Sequence, residues 1–264
     1  MAAEREAKVS VHSGGRRLLI EQALSEFGQV NLRELAQRFE VSDETIRRDL
    51  EILSDQGKAK RVYGGAVGVQ QIPESQLSER MKINGEEKRK MAQLALSHIP
   101  EGAFTVFLDS GSSTAYFAEM LPDRADLLLV TNSAAIAAAV ATRTRSLKVH
   151  LIGGTVREST LATVGAMTVQ TVRALHPDLT FLGANGMDLL DGYTTPDIEE
   201  AAVKRAMVQC SRQAVVLADA DKFGHTSTVK FAAPGEIEML ISDQRLAELA
   251  GKDLEKLAKE VFLA

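Results

Sequence analysis

Apolar residues recur at helical intervals through the first quarter of the chain. In "RRLLIEQALSEF" (16–27), Leu19, Ile20, Ala23, Leu24 and Phe27 share one stripe, which predicts an amphipathic helix stopped by Gly28. Asn31 stands at the N-cap of a second helix with Leu32, Leu35, Ala36 and Phe39 on one face. Ser42 caps a third, with Asp43 and Glu44 at its positive end and Gly57 at its stop. On that helix Ile46, Leu50 and Leu53 line up as the anchoring face, and Arg47 and Arg48 project off it. The basic "KAKRVYGGAV" (58–67) follows, the pattern of a short hairpin with a Gly-Gly turn. Residues 1–15 read as a polar tail, 16–67 as one small domain, and 68–85, polar with a proline, as a linker.

From residue 86 the period changes. A helix at 86–98 precedes strand 104–109 and a helix at 113–121. Strand 127–132 leads to helix 133–142, strand 148–154 to helix 166–175, and strand 179–184 to helix 197–212. Strands at 214–219 and 238–243 and a C-terminal helix close the chain. Short apolar strands alternating with helices predict a mainly parallel sheet covered on both faces, so 86–264 is expected to be one α/β domain. In such sheets ligands collect at the carboxyl ends of the strands. The stretch "FLDSGSSTAYFAEML" (107–121) is a candidate seat, because an apolar strand breaks into a small-residue loop and resumes as a helix. Free backbone N–H groups, the positive end of the helix dipole and the hydroxyls of Ser110, Ser112, Ser113 and Thr114 meet there. That is anion-binding chemistry.

Composition narrows the class. With 45% hydrophobic and 25% charged residues in 264, the chain has the make-up of an ordinary globular protein. The single Cys210 excludes an internal disulfide framework and fits a reducing compartment. The first fifteen residues lack the apolar core of a signal peptide, and the longest apolar run, 134–141, is too short to span a bilayer. A cytoplasmic location with no membrane partner is therefore expected. The five histidines have no ligand-like spacing, so neither a metal nor another cofactor is expected. The net charge of −5 gives no global sign of a nucleic-acid partner. Residues 1–67 are nonetheless neutral, with eleven basic and eleven acidic side chains, and Lys58, Lys60 and Arg61 cluster without an anion between them.

Three short helices with a tight connection between the second and third match a helix-turn-helix, for which the basic hairpin would be the wing. Arg47 and Arg48 are forked donors suited to guanine edges or phosphates in a major groove. Asp43, Glu44, Asp49, Glu51 and Asp55 on the same helix fit an ordinary solvated face equally well, so charge alone leaves both readings open. The wording is more specific. "VSDETIRRDLEILSDQGKAKRVYGGAV" (41–67) closely resembles the N-terminal signature of the DeoR family of bacterial transcriptional regulators, a winged helix-turn-helix. The resemblance implies that Ser42, Thr45, Arg47 and Arg48 face DNA, with Lys58, Lys60 and Arg61 near phosphates.

The remainder resembles that family's effector domain through "DSGSST" (109–114), "VTNS" (130–133), "IGGTVR" (152–157), "LGANGMD" (182–188), "GYTTPDIEEAAVKRAM" (192–207) and "LADADKFG" (217–224). The implied fold is that of ribose-5-phosphate isomerase and the CoA-transferases. The implied effector-binding residues are Asp109, Ser110, Gly111, Ser112, Ser113, Thr114, Thr131, Asn132, Gly153, Gly154, Arg157, Asn185, Glu199 and Lys222. Proton abstraction beside a carbonyl needs a positioned base and acids to polarise oxygens. Where the isomerases have two carboxylates this chain has Leu182 and Asn185, while Glu199 or Glu200 could still align with the base. No catalytic residue is assigned. Asp197 could simply cap its helix, and Glu200 with Lys204 is an i, i+4 pair that needs no other role. The expectation is a DNA-binding repressor of carbohydrate-metabolism genes, modulated by a phosphorylated sugar and acting on double-stranded operator DNA as a dimer or tetramer. The competing reading is a sugar-phosphate isomerase with an accessory DNA-binding domain.

Overall fold

The computed structural model describes residues 13–27, 29–56, 58–62, 64–68, 76–102 and 104–264. The chain divides into two units, Met1–Pro73 and Glu74–Ala264. The first contains α1 (Ser13–Phe27), β1 (Gln29–Asn31), α2 (Leu32–Phe39), α3 (Asp43–Asp55), β2 (Ala59–Val62) and β3 (Gly65–Gly68). The Asn31 side chain accepts from the amides of Arg33 and Glu34, and Ser42 Oγ accepts from Thr45 N, so both expected N-caps are made. Ile46, Leu50 and Leu53 of α3 are buried against Ile20 and Leu24 of α1 and Leu35 of α2. The wing has one strand more than the hairpin pattern predicts, because β1 joins it in the antiparallel order β1-β3-β2. A Cβ on Gly65 would lie 1.9 Å from the Val30 carbonyl oxygen, so only glycine lets these strands approach. Asp49 is not on a solvated face. It is buried and accepts from Arg16 Nε at 2.6 Å, with Arg17 3.9 Å away.

The second unit runs α4 (Leu77–Arg80), α5 (Gly85–Leu96), β4 (Phe104–Leu108), α6 (Ser112–Met120), β5 (Leu127–Thr131), α7 (Ala134–Arg143), β6 (Lys148–Leu151), β7 (Thr155–Val156), β8 (Thr163–Val164) and α8 (Ala166–Arg173). It continues with β9 (Leu179–Gly183), β10 (Gly186–Asp188), β11 (Gly192–Thr195), α9 (Ile198–Cys210), β12 (Gln213–Leu217), β13 (Val229–Ala232), β14 (Met239–Ser242), α10 (Arg245–Ala250) and β15 (Glu260–Leu263). Seven of these strands form a parallel sheet in the order β15-β14-β12-β9-β4-β5-β6. Strand alternation sends Val106, Leu108, Phe181 and Ile241 to a layer with Met91 of α5, Phe117 of α6 and Ile136 of α7. Phe107, Leu182, Val216 and Leu240 go to the opposite layer, with Ala201, Val203 and Met207 of α9. The chain leaves β4 toward β5 on one side, and β9 returns to pair on its other side. The strand order therefore reverses between β4 and β9, where open α/β sheets form a ligand crevice.

Several expectations need correction. Of the expected linker 68–85, residues 76–85 belong to the second unit: Leu77 N donates to Ser159 O, and Tyr116 Oη donates to Met81 O at 2.8 Å. The chain ends in a strand rather than a helix, with β15 pairing parallel to β14. The side sheet β10-β11-β13 and the β7-β8 ladder were not anticipated, since strands of two to four residues carry too few positions to show a period. The helix α1 begins at Ser13, inside the expected tail. The rest of that tail, Gly28, Gly57 and 69–75 of the linker lie outside the described residues. No helix among the described residues is long and apolar enough to cross a membrane.

The Arg16–Asp49 pair generates a stability prediction. Removing one partner of a buried ion pair strands the other, so Asp49→Ala should destabilise the first unit by about 3–5 kcal/mol. Arg48→Ala, at an exposed site on the same helix, should stay within about 0.5 kcal/mol of the parent. Urea unfolding of the two variants separates these outcomes.

Candidate functional site

The first unit carries the candidate nucleic-acid interface. Arg47 and Arg48 are exposed near the start of α3, on the side away from its buried stripe. Arg47 lies 3.8 Å from Glu44, a loose exposed contact, and Arg48 has no ion-pair partner among the described residues. Ser42 and Thr45 are committed to the helix start, their hydroxyls 2.9 Å apart. On the wing side Lys58 is tied to Glu21 at 2.8 Å, while Lys60 and Arg61 are exposed on β2. The expected residues thus form two groups, one at the beginning of α3 and one along the wing strand.

In the second unit a cleft opens at the switch point. Its lining includes Ser110, Gly111, Ser112 and Ser113 after β4, Gly183, Ala184 and Asn185 at the end of β9, and Ala218 and Lys222 after β12. Glu200 and Lys204 enter from α9, Thr160 from the loop before β8, Arg80 and Ile83 from the segment leading into α5, and Lys88 from α5 itself. Gly111 is the N-cap of α6, and no side chain caps that first turn, so its amides remain available to an anion. Thr114 belongs to the helix rather than the cleft, since its hydroxyl donates to Gly111 O at 3.0 Å and the residue is fully buried.

Asp109 sits behind the loop, fully buried, with Lys204 Nζ donating to Oδ2 and the Gly183 amide donating to the same oxygen at 3.2 Å. Lys204 also donates to Gly183 O at 3.0 Å. The i, i+4 pairing of Lys204 with Glu200 does not form; Lys204 reaches across to β4 instead. Burial raises the Asp109 carboxyl above its ordinary range, against the opposing pull of Lys204. Glu200 accepts from Thr160 Oγ1 at 2.5 Å and from Arg157 at 3.0 Å, with Thr195 Oγ1 at 3.4 Å. Arg157 is therefore held in ion pairs with Glu200 and, at 3.2 Å, Asp197, and it does not line the cleft. Asp197 does cap α9, accepting from Glu200 N at 2.9 Å.

Other expected contacts lie elsewhere. Thr131 is fully buried, donates to Leu108 O and accepts from Ser133 N, so it builds the turn after β5. Asn132 donates to Thr163 O in the same buried joint. A Cβ on Gly154 would fall 2.0 Å from Thr168 Oγ1, which makes this glycine a packing requirement, and Thr168 donates to Gly153 O. Glu199 is exposed on the first turn of α9, and Glu200 takes the inward position. Leu182 is core, whereas Asn185 lines the cleft and accepts from Thr195 Oγ1 at 3.2 Å. Sequence reasoning missed Lys88, Arg80, Lys204 and Thr160, which come from four separate segments. A lysine amid the buried Met91 and Ala92 face of α5 was the one available signal for Lys88.

The charges converge on one chemistry. Arg80, Lys88, Lys204 and Lys222 line the cleft against the single carboxylate of Glu200. Lys88 is buried, 3.4 Å from Asp219 Oδ2, and donates to the carbonyls of Arg80 and Ile83. Burial lowers its pKa, Asp219 opposes that, and the like charge of Lys222 adds to it. Two neighbouring cations beside an uncapped helix start favour a bound anion. Among the described residues no group of His, Cys, Asp or Glu could hold a metal.

Lys204→Met should leave Asp109 buried without its cation and cost about 3–5 kcal/mol of stability at neutral pH. A carboxyl that titrates higher in the folded chain than in the unfolded one binds more protons when folded, so its penalty shrinks as pH falls. The deficit of Lys204→Met relative to the parent should therefore be smaller at pH 5 than at pH 7.5. Denaturant unfolding at both pH values checks this, and a deficit that grows on acidification contradicts it.

Comparison with known proteins bears on both units. Residues 16–71 match the DeoR-like helix-turn-helix domain, and residues 83–244 match the DeoR C terminal sensor domain. The chain is 34% identical, over 91% of its length and 93% of the relative's, to the HTH-type transcriptional regulator GlpR of Haloferax volcanii. It is 31% identical to the putative aga operon transcriptional repressor of Escherichia coli O157:H7, over 94% and 93%. It is 29% identical to the glycerol-3-phosphate regulon repressor of E. coli K12, over 82% and 85%. Among solved structures it matches the sorbitol operon regulator SorC from Klebsiella pneumoniae with a TM-score of 0.43 and 13% identity, over 88% of this chain and 97% of that one. The ribose 5-phosphate isomerase of Methanocaldococcus jannaschii matches with a TM-score of 0.38 and 15% identity, over 53% and 55%. The three sequence relatives carry the names of one transcriptional regulator and two repressors. With its two matched domains in that order, the chain belongs to the DeoR family of DNA-binding transcriptional regulators.

Proposed function

We propose that the cleft at the ends of β4, β9 and β12 binds the phosphate of a small phosphorylated sugar, and that occupancy changes the affinity of the helix-turn-helix for its operator. The observation that carries this reading is the meeting of an uncapped helix start, Gly111 to Ser113, with Lys88 and Lys222 in one cleft. Asn185, Thr160 and Glu200 line the same cleft and offer acceptors and hydroxyls suited to sugar hydroxyl groups. The relatives' own names, repressors of an aga operon and of a glycerol-3-phosphate regulon, support a cytoplasmic repressor of carbohydrate-metabolism genes. Modules of this kind read paired half-sites, so a homodimer or tetramer on double-stranded operator DNA is the working assembly. Asp109 supports the seat from behind, while Arg157, Thr131, Asn132, Gly153 and Gly154 shape it without touching the effector. A thermal-shift screen of phosphorylated sugars identifies the effector, since saturation at 100 times Kd adds ~2.7 kcal/mol.

Two sets of variants test the two halves. Arg47→Ala and Arg48→Ala should each cost roughly 1–3 kcal/mol at the specific operator and leave effector binding unchanged. Lys60→Ala should instead weaken binding to every duplex and lower the salt slope by about one unit. Gel-shift titrations on specific and scrambled duplexes at several salt concentrations separate the cases. Unchanged operator affinity in both arginine variants would remove α3 as the reading helix.

A Cβ at position 111 would sit 3.4 Å from Thr114 Oγ1, and at φ 159°, ψ 165° any side chain also strains the loop backbone, so valine both distorts and crowds the anion seat. Gly111→Val should therefore bind operator like the parent and fail to respond to the effector. The response lost is expected to be about 5- to 150-fold in operator affinity. An undiminished response in Gly111→Val means that the effector sits elsewhere.

A further inference from the structure

The cleft leaves about 50 Å³ of open room at its centre, the space of roughly four water molecules at ~10–15 Å³ each. Pockets that hold small molecules measure about 300–1,000 Å³, so a phosphorylated sugar enters only if a wall moves. Most walls are fixed: β4, β9 and α9 are tied together by Asp109, Gly183 and Lys204. The exception is Gln76–Asn84, which contributes Arg80 and Ile83 and contains no buried residue. Met81 packs against the core of the unit, and hydrogen bonds add to that hold. Leu77 N donates to Ser159 O at 3.0 Å, Tyr116 Oη donates to Met81 O at 2.8 Å, and Asn84 Nδ2 donates to Asp221 Oδ2 at 2.7 Å. The Lys88 ammonium adds to these by donating to the carbonyls of Arg80 and Ile83. At the joint with α5, Asn84 is left-handed at φ 50°, a conformation that a non-glycine residue adopts only at some cost.

Besides its ion pair with Asp219, Lys88 has two claims on it, for it latches this segment and also lines the cleft that Ser112 and Ser113 of α6 line. An ammonium bonds a phosphate oxygen more strongly than a neutral carbonyl. We propose that Gln76–Asn84 is a strap latched by Lys88, and that a phosphate entering beside Ser112 and Ser113 draws the ammonium off the Arg80 and Ile83 carbonyls and frees the strap. In sequence the strap begins three residues after the last residue of the first unit, Pro73, so its release changes the tether of the DNA-binding unit. Occupancy and operator affinity are coupled through it. This inference rests on the cleft being the effector site.

Amide hydrogen exchange on the full chain tests it, with inorganic phosphate as the probe against chloride at matched ionic strength. The Leu77 amide bonds outside the strap, to Ser159 O, and reports its release, while the amides of Arg80, Met81, Lys82 and Ile83 bond within it and report its loosening once it is freed. The expected result is slower exchange at 110–114 together with exchange at 77–83 faster by roughly 2- to 12-fold, the range for losing one net hydrogen bond. Protection at 110–114 with unchanged or slower exchange at 77–83 overturns the strap and leaves the cleft reading standing. No change at 110–114 removes the cleft reading and the strap with it. Two variants separate latch from fold. Tyr116→Phe, outside the cleft, should speed exchange at 77–83 without phosphate and keep the phosphate protection at 110–114. Lys88→Met should show a fast strap that phosphate no longer alters; a strap that still speeds up with phosphate in Lys88→Met contradicts the latch.

Discussion

One buried ammonium holds the sensing end of this molecule together. Lys204 leaves α9, donates to the Asp109 carboxylate at the end of β4, and donates again to Gly183 O at the end of β9. The Gly183 amide completes the knot by donating back to Asp109. β4 and β9 are the neighbours between which the strand order reverses, so their loops part here and form a crevice. A buried ion pair is a weak source of net stability, because desolvation consumes most of its Coulomb energy. What this one supplies is position: the loop 110–113 and the loop 183–185 face each other at a fixed separation.

That constraint also explains why the cleft suits a receptor. A proton-abstracting site needs a carboxylate free to reach the substrate at a suitable pKa. Here Asp109 is held by Lys204 behind the loop, and Glu200 is held by Thr160, Thr195 and Arg157. Leu182, near the end of β9, points into the core. Lys88 is paired with Asp219 but also faces the like charge of Lys222, and an anion beside the two lysines relieves that repulsion.

Much of this was legible in the chain, and what was not has a common cause. Ile46, Leu50 and Leu53 lie at helical spacing and are the buried stripe of α3; alternating strands and helices gave the parallel sheet; and Ser110 to Ser113 reach the cleft because a strand, a loop and a helix start are contiguous in sequence. Contacts between distant segments were hidden. Lys204 looked like half of a helical pair with Glu200, yet its partner lies 95 residues away. Asp49 looked solvated, yet it is buried under Arg16, 33 residues earlier. Conversely, Thr114, Thr131 and Asn132 have ligand-like side chains in ligand-like motifs, but the two hydroxyls and the Asn132 amide nitrogen bond backbone carbonyls. Motif position predicts which loops meet. It does not predict which atoms in them stay open.

The most direct test is a crystal structure of the full chain with the phosphorylated sugar that gives the largest thermal shift. The phosphate is expected within hydrogen-bond reach of the Ser112 and Ser113 amides, with Lys88 or Lys222 on its other side, and with Asp109 still paired to Lys204. A phosphate bound away from the start of α6, with the cleft unchanged, contradicts the account.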